Sequence, residues 1–229
     1  MPYLEIAKKK RKQIEKAEEY FNALQTNIRL SGENLKVIAI SSVSANEGKS
    51  TTALHLSAAF ARAGYRTLLL DADIRNSVMS GTFQSDEKIT GLTDFLTGVA
   101  GLDSGLCDTE IENLSVIESG PTSPNPTALL QGKTFEKMIQ VLREHFDYII
   151  VDTAPIGLVI DAAIIAETCD ASILVAETGV VRRRHIEKAR QQLEQTKTPF
   201  LGIILNKYDF KVDSYGSYGN YGSYGQYGR

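Results

Sequence analysis

The chain has 229 residues, a formal net charge of −3 at pH 7 and 42% hydrophobic residues, with ten Tyr and no Trp. A chain of this length buries a sizeable core without disulfides or metal, and its near-neutral charge argues against a nucleic-acid partner. Its longest apolar runs, such as Ile149-Ile150-Val151, fall far short of the ~18–20 residues of a membrane span. The basic run Lys8-Lys9-Lys10-Arg11-Lys12 is followed by polar sequence, not by the apolar stretch of a signal peptide.

In chain order, residues 4–30 read as one helix, with Leu4, Ile6, Ile14, Ala17, Phe21, Leu24 and Ile28 apolar among charges and Ser31-Gly32 as its stop. The basic run within it reads as a solvated helix face or, alternatively, as a contact with anionic lipid or a membrane-bound partner. Short β-rich runs then alternate with helical stretches. The predicted strands are 37–41, 67–70, 114–117, 148–151, 172–176 and 202–205, and the predicted helices 49–63, 134–145, 158–168 and 182–196. Runs such as Leu68-Leu69-Leu70 are apolar without alternation, as in strands buried on both faces of a parallel sheet. The pattern predicts a doubly wound, mostly parallel α/β sheet flanked by helices, with ligands at the carboxyl ends of strands. Cys107 and Cys169 lack any metal-ligand spacing and read as small buried hydrophobes. His55, His145 and His185 are scattered and form no zinc motif.

From Ser214 the texture changes. Tyr215, Tyr218, Tyr221, Tyr224 and Tyr227 recur at every third position, each followed by Gly, so half of the ten tyrosines fall in the last 15 residues. No continuous face can be buried there, and the segment reads as a flexible tail. Extended, it would reach up to about 50 Å. The organisation expected is an N-terminal helical segment over 1–32 serving association, a nucleotide-binding domain over 33–212, and a tyrosine tail over 213–229.

Three motifs carry chemistry. Gly48-Lys49-Ser50 follows a strand and opens an apolar helix, the setting in which backbone N–H groups cradle phosphate. Lys49 would reach the β- and γ-phosphates and Ser50 would offer its hydroxyl to Mg²⁺. The full phosphate-loop pattern wants Gly at the position of Val43. Ala45, Asn46, Glu47, Gly48, Lys49, Ser50 and Thr51 are the nucleotide-binding residues expected here. Second, Asp71-Ala72-Asp73-Ile74-Arg75 sets two carboxylates just past a buried strand. Third, Asp152 ends the strand Tyr148-Ile149-Ile150-Val151, as a Walker B carboxylate does. Several carboxylates at one strand edge repel one another unless a cation joins them, so Ser50, Asp71, Asp73 and Asp152 are the expected Mg²⁺ neighbourhood.

Together these motifs resemble the bacterial tyrosine kinases, phosphate-loop proteins of the MinD/ParA-like branch, and in particular the capsule-type cytoplasmic autokinases of streptococci. Glu18-Glu19-Tyr20-Phe21-Asn22-Ala23-Leu24, Gly120-Pro121, Pro124-Asn125-Pro126, Asp152-Thr153 and the tyrosine cluster also carry the likeness. The resemblance implies ATP and Mg²⁺ as cofactors, Lys49 and Asp73 as catalytic residues, and Asp71 as the base for a tyrosine hydroxyl. The five tail tyrosines become the phosphoacceptors, modified between subunits. It further implies a separate transmembrane adaptor that activates the kinase, a cognate tyrosine phosphatase, a cytoplasmic chain recruited to the membrane, and control of capsular or exopolysaccharide synthesis and export. The sequence departs from the family in having Ala45-Asn46 where Pro and Gly are frequent, and Ala154 where Pro is usual. Asn22 and Gln25 stand where many relatives carry an Arg pair for ring assembly.

The rival reading is a MinD/ParA-like ATPase or GTPase switch without tyrosine chemistry. Asn206-Lys207-Tyr208-Asp209 matches the NKxD pattern that reads guanine, while a middle reading has Asn206 touching the purine of ATP.

Overall fold

A computed structural model describes residues 2–85 and 89–208. The tyrosine cluster and Asp209 lie outside the described residues. The chain begins with a strand, β1 (Tyr3–Ile6), and only then enters a helix, α1 (Lys8–Ser31). This corrects the single helix expected over 4–30. Leu4 and Ile6 are buried while Tyr3 and Glu5 face outward, a period of two that belongs to a strand. Four residues are too few to show that period against the helical pattern that follows.

Next come β2 (Val37–Ser42), α2 (Lys49–Arg62), β3 (Thr67–Asp71), a 3₁₀ turn at Met79–Gly81 and β4 (Phe83–Gln84). The short helices α3 (Leu92–Leu96) and α4 (Leu102–Gly105) precede β5 (Cys107–Thr109) and β6 (Leu114–Ile117). Then follow α5 (Pro126–Leu130), α6 (Lys133–His145), β7 (Tyr148–Asp152), α7 (Asp161–Ala166), β8 (Ala171–Glu177), α8 (Arg183–Glu194) and β9 (Phe200–Asn206). Every predicted strand is present. The helix expected at 158–168 is confined to Asp161–Ala166, because Pro155 and the turn after it delay its start.

The strands form one sheet in the order β4-β1-β5-β6-β3-β7-β2-β8-β9. From β6 to β9 all pairings are parallel, and β1 is parallel to β5. The β1–β4 and β5–β6 pairs are antiparallel. Side-chain alternation sorts each strand onto two cores. Val37, Ala39, Leu68, Leu70, Ile149 and Val151 pack with Phe135, Met138, Ile139 and Leu142 of α6 and with α7 and α8. Ile38, Ile40, Leu69 and Ile150 pack on the other face with Leu54, Leu56 and Phe60 of α2, Ile14 and Ile28 of α1, and Leu4 and Ile6. Burial on both faces explains the unbroken apolar runs.

Gln25 lies on the inner face of α1, buried, whereas Asn22 faces solvent. Both cysteines are free and buried, and burial pushes their thiols up, Cys107 to about 11 and Cys169 to about 12. Among the described residues no helix is long and apolar enough to cross a membrane.

Candidate nucleotide site

The carboxyl ends of β2, β3 and β7 are neighbours, with Asp71 in register with Asp152 and Ile40 with Asp152 on the other side. The strand ends therefore deliver the three sequence motifs to one place. Between β2 and α2 the chain makes a tight loop in which Asn46 (φ 66°) and Gly48 (φ 92°) adopt left-handed backbone. Gly48 has no alternative there. A Cβ on it would lie 1.9 Å from Nδ2 of Asn206.

Val43 is absent from the residues with positive φ, so the loop does not require glycine at that position. Its rise is closed instead by Glu47. Oε2 of Glu47 accepts the Val43 N–H at 3.2 Å, and Oε1 accepts the Ser44 N–H at 2.9 Å. Burial raises the Glu47 pKa, against the two backbone N–H groups that hold it down. Its carboxylate serves the loop itself.

Lys49, at the start of α2, reaches back across the loop. Its Nζ donates to Oδ1 of Asp152 at 2.7 Å and to Oγ of Ser50 at 3.2 Å, and lies 3.7 Å from Oδ2 of Asp73. The Lys49 and Asp152 side chains are only 7% and 1% exposed. Behind them Asp71 is fully buried and accepts hydrogen bonds from the Ser77 hydroxyl and the Asp73 N–H. Burial, and then the charge of Asp152, push Asp71 up to about 7. Burial also raises Asp152, with Lys49 opposing it.

A cavity of about 530 Å³ opens over this floor. Ala45, Asn46, Gly48, Lys49, Ser50, Thr51 and Asp73 line it, while Val78 and Leu158 stand exposed at its edge. Asp71 and Asp152 sit beneath the wall. Asn206 is aimed at the loop, where Nδ2 donates to the Glu47 carbonyl at 2.8 Å.

Sequence reasoning passed over two supports. Arg75 lines the cavity and grips the buried Asp161 at the start of α7 with Nε–Oδ2 2.5 Å and Nη2–Oδ1 3.0 Å, while Thr127 donates to the same carboxylate. Gly157 packs so closely that an added Cβ would lie 2.1 Å from the Val43 carbonyl. Eighty-six residues separate Arg75 from Asp161, and no local spacing signals such a pair.

Three carboxylates against one lysine leave the floor short of positive charge, which suits a divalent cation. Among the described residues no three acidic, His or Cys side chains converge into a ready-made metal cage. Mg²⁺ does not need one, because it commonly takes one or two carboxylates and completes its shell with water and nucleotide phosphate. The donor set therefore fits Mg²⁺ held jointly with a nucleotide.

A parallel sheet with a strand–loop–helix phosphate cradle, a buried lysine and strand-end carboxylates defines a phosphate-loop nucleotide-binding protein. Residues 35–199 match the family model described as AAA domain. A curated relative, the tyrosine-protein kinase CpsD of Streptococcus pneumoniae, is 65% identical over 216 residues, 94% of this chain and 95% of the relative. The solved kinase domain of the Escherichia coli tyrosine kinase ETK superposes with TM-score 0.82 at 28% identity, covering 89% of this chain and 80% of that one. The chimerical protein CapA2B2 gives 0.76 at 29% identity, covering 82% and 83%. The chain belongs to the bacterial tyrosine-protein kinases, built on an AAA-domain scaffold.

Proposed function

We propose that the chain is an ATP-dependent tyrosine autokinase whose acceptors are Tyr215, Tyr218, Tyr221, Tyr224 and Tyr227, phosphorylated between subunits. The observation that carries this reading is the convergence of Asp73 and Asp152 on Lys49, each within 4 Å of its Nζ, at the mouth of a phosphate loop. The rival switch without tyrosine chemistry has less support, since the close relative is named a tyrosine-protein kinase and the chain itself carries a tyrosine cluster.

In this reading the backbone N–H groups of Ala45–Thr51 bind the nucleotide phosphates, and the Ser50 hydroxyl is offered to Mg²⁺. Lys49 leaves Asp152 for the transferred phosphate when nucleotide arrives. Asp73, on the cavity wall, and Asp152, beneath it, are the residues that would hold Mg²⁺ together with the Ser50 hydroxyl. Bound there, Mg²⁺ would neutralise phosphate charge during transfer. Asp71 is the base for the incoming tyrosine hydroxyl in this reading: burial raises its pKa to about 7, the range in which a general base works best. Because it lies fully buried beneath the cavity wall, the role requires the wall to open over it.

Residues 213–229 then serve as a substrate tail beside a kinase domain over 33–212, while residues 1–32 serve association. The exposed Val78 and Leu158 form an apolar lip that suits coverage by another chain. We assign that role to the cytoplasmic part of a separate transmembrane adaptor, which also recruits this cytoplasmic chain to the membrane. A tyrosine phosphatase resets the tail, and the output is control of capsular or exopolysaccharide synthesis and export.

The test is incubation of the full chain with Mg·ATP, with and without a peptide from a membrane adaptor, followed by phosphotyrosine mapping by mass spectrometry. Phosphate on the tail cluster, lost in Lys49→Met and in a variant with all five tail tyrosines changed to Phe, is the expected result. Absence of phosphotyrosine under every condition overturns the proposal.

A further inference from the structure

The last strand ends against the phosphate loop in a way that the kinase reading does not use. Asn206 and Lys207 each donate to a carbonyl of that loop. Nδ2 of Asn206 reaches Glu47 at 2.8 Å and Nζ of Lys207 reaches Asn46 at 2.8 Å. Both ends of the second contact are in left-handed backbone, Asn46 at φ 66° and Lys207 at φ 56°. Such conformations persist in residues other than Gly only where the surroundings hold them. The surroundings here are specific. Lys207 Nζ also pairs with Oε2 of Glu177 at 2.8 Å, and the Thr178 N–H donates to the Asn206 carbonyl at 3.0 Å. The ends of β8 and β9 thus grip residues 46 and 47 from outside, while the Glu47 carboxylate ties residues 43 and 44 from within.

The geometry points to Lys207, oriented by Glu177 and helped by Asn206, as a positioning residue that keeps the phosphate loop in its anion-binding shape. The Asn-Lys pair that resembles a guanine-reading motif is, in this chain, a clasp on the loop carbonyls. Once those carbonyls are held outward, the opposite ends of the same peptide units present their N–H groups to the cavity, where an anion takes them. Lys207 itself lines the cavity, so its ammonium also adds positive potential near the bound phosphates. The inference rests on the nucleotide-site reading above. It predicts a residue that matters for the phosphates and not for the base.

The experiment uses the full chain with two probes, ATP and inorganic tripolyphosphate, each titrated by competition against a fluorescent ATP analogue. Lys207→Met is expected to weaken both probes by about tenfold, the size of one charge-assisted hydrogen bond at a partly exposed site. Lys207→Arg, which keeps the charge and a donor, is expected to recover most of that affinity. Glu177→Gln is expected to weaken both probes in the same direction but by less. The melting temperature without ligand should stay unchanged in Lys207→Met, since the lysine is about half exposed. Loss of ATP affinity with tripolyphosphate unchanged would make Lys207 a base contact and overturn the clasp. Unchanged affinity for both probes, or a ligand-free melting temperature that falls in step with affinity, would overturn it as well. Binding of neither probe to the unsubstituted chain would instead overturn the nucleotide-site reading.

Discussion

Lys49→Met is a natural inactive control for a kinase of this kind, and the structure predicts that it is also a stability variant with a marked pH dependence. Lys49 pairs with Asp152 and lies 3.7 Å from Asp73, and the Lys49–Asp152 pair is almost wholly removed from water. Removing one partner of a buried ion pair costs about 3–5 kcal/mol, because the other is left charged in a poor solvent. For a chain of this size that lowers the melting temperature by about 10 °C. The carboxylate has a way out, which is to keep a proton. Burial already raises both Asp152 and Asp71, and loss of the lysine raises Asp152 further. A carboxylate whose folded-state pKa lies above its unfolded value destabilises the fold fully above the folded value and not at all below the unfolded one. The penalty should therefore grow with pH and be larger at about pH 8 than at about pH 5. Thermal melts of both proteins at the two pH values measure it. Lys49→Met with Asp152→Asn should recover most of the loss at the higher pH. An equal loss at both pH values, or none at the higher one, would refute the argument that an orphaned carboxylate is the cause.

Two further perturbations test other parts of the fold. His55 is buried in α2 against Phe21 of α1, its Nε2 has no partner, and burial, with a smaller contribution from Lys10, pushes it down to about 4. Its folded pKa lies below the unfolded value, so the fold should lose about 2 kcal/mol through this group between neutrality and about pH 5. His55→Leu should flatten that part of the stability–pH curve, and an unchanged slope in denaturant titrations would exclude the assignment. Gly48→Ala forces a Cβ into Asn206 at a left-handed φ, so nucleotide affinity should fall more than about tenfold while the sheet still forms. Fluorescence titration that shows wild-type affinity would refute the close approach.

Much of this protein was legible because its strands are buried on both faces. Val37–Ser42, Thr67–Asp71 and Tyr148–Asp152 announce themselves as apolar runs, and each ends where the polar chemistry begins. Gly48-Lys49-Ser50, Asp71, Asp73 and Asp152 could be placed at strand ends from the order of residues alone, since local pattern fixes both the strand and its exit. β1 escaped, because four residues of alternation merge into the helical pattern that follows, and only pairing with Asp108 and Thr109 on one side and Phe83 and Gln84 on the other makes them a strand. Glu47 was marked as a nucleotide contact from its place in the motif. The structure turns its carboxylate onto the loop's own N–H groups, which is how a chain with Val43 at a glycine position still closes the turn. The sequence by itself determined the scaffold, the cradle and the acidic floor, all of which arise from contiguous residues and their periodicity. Only the tertiary structure decided that Asp161 holds Arg75 and that Asn206 and Lys207 hold the loop. Those contacts join residues 86 to 161 positions apart, and nothing but the packing of the finished sheet brings them within a hydrogen bond of one another.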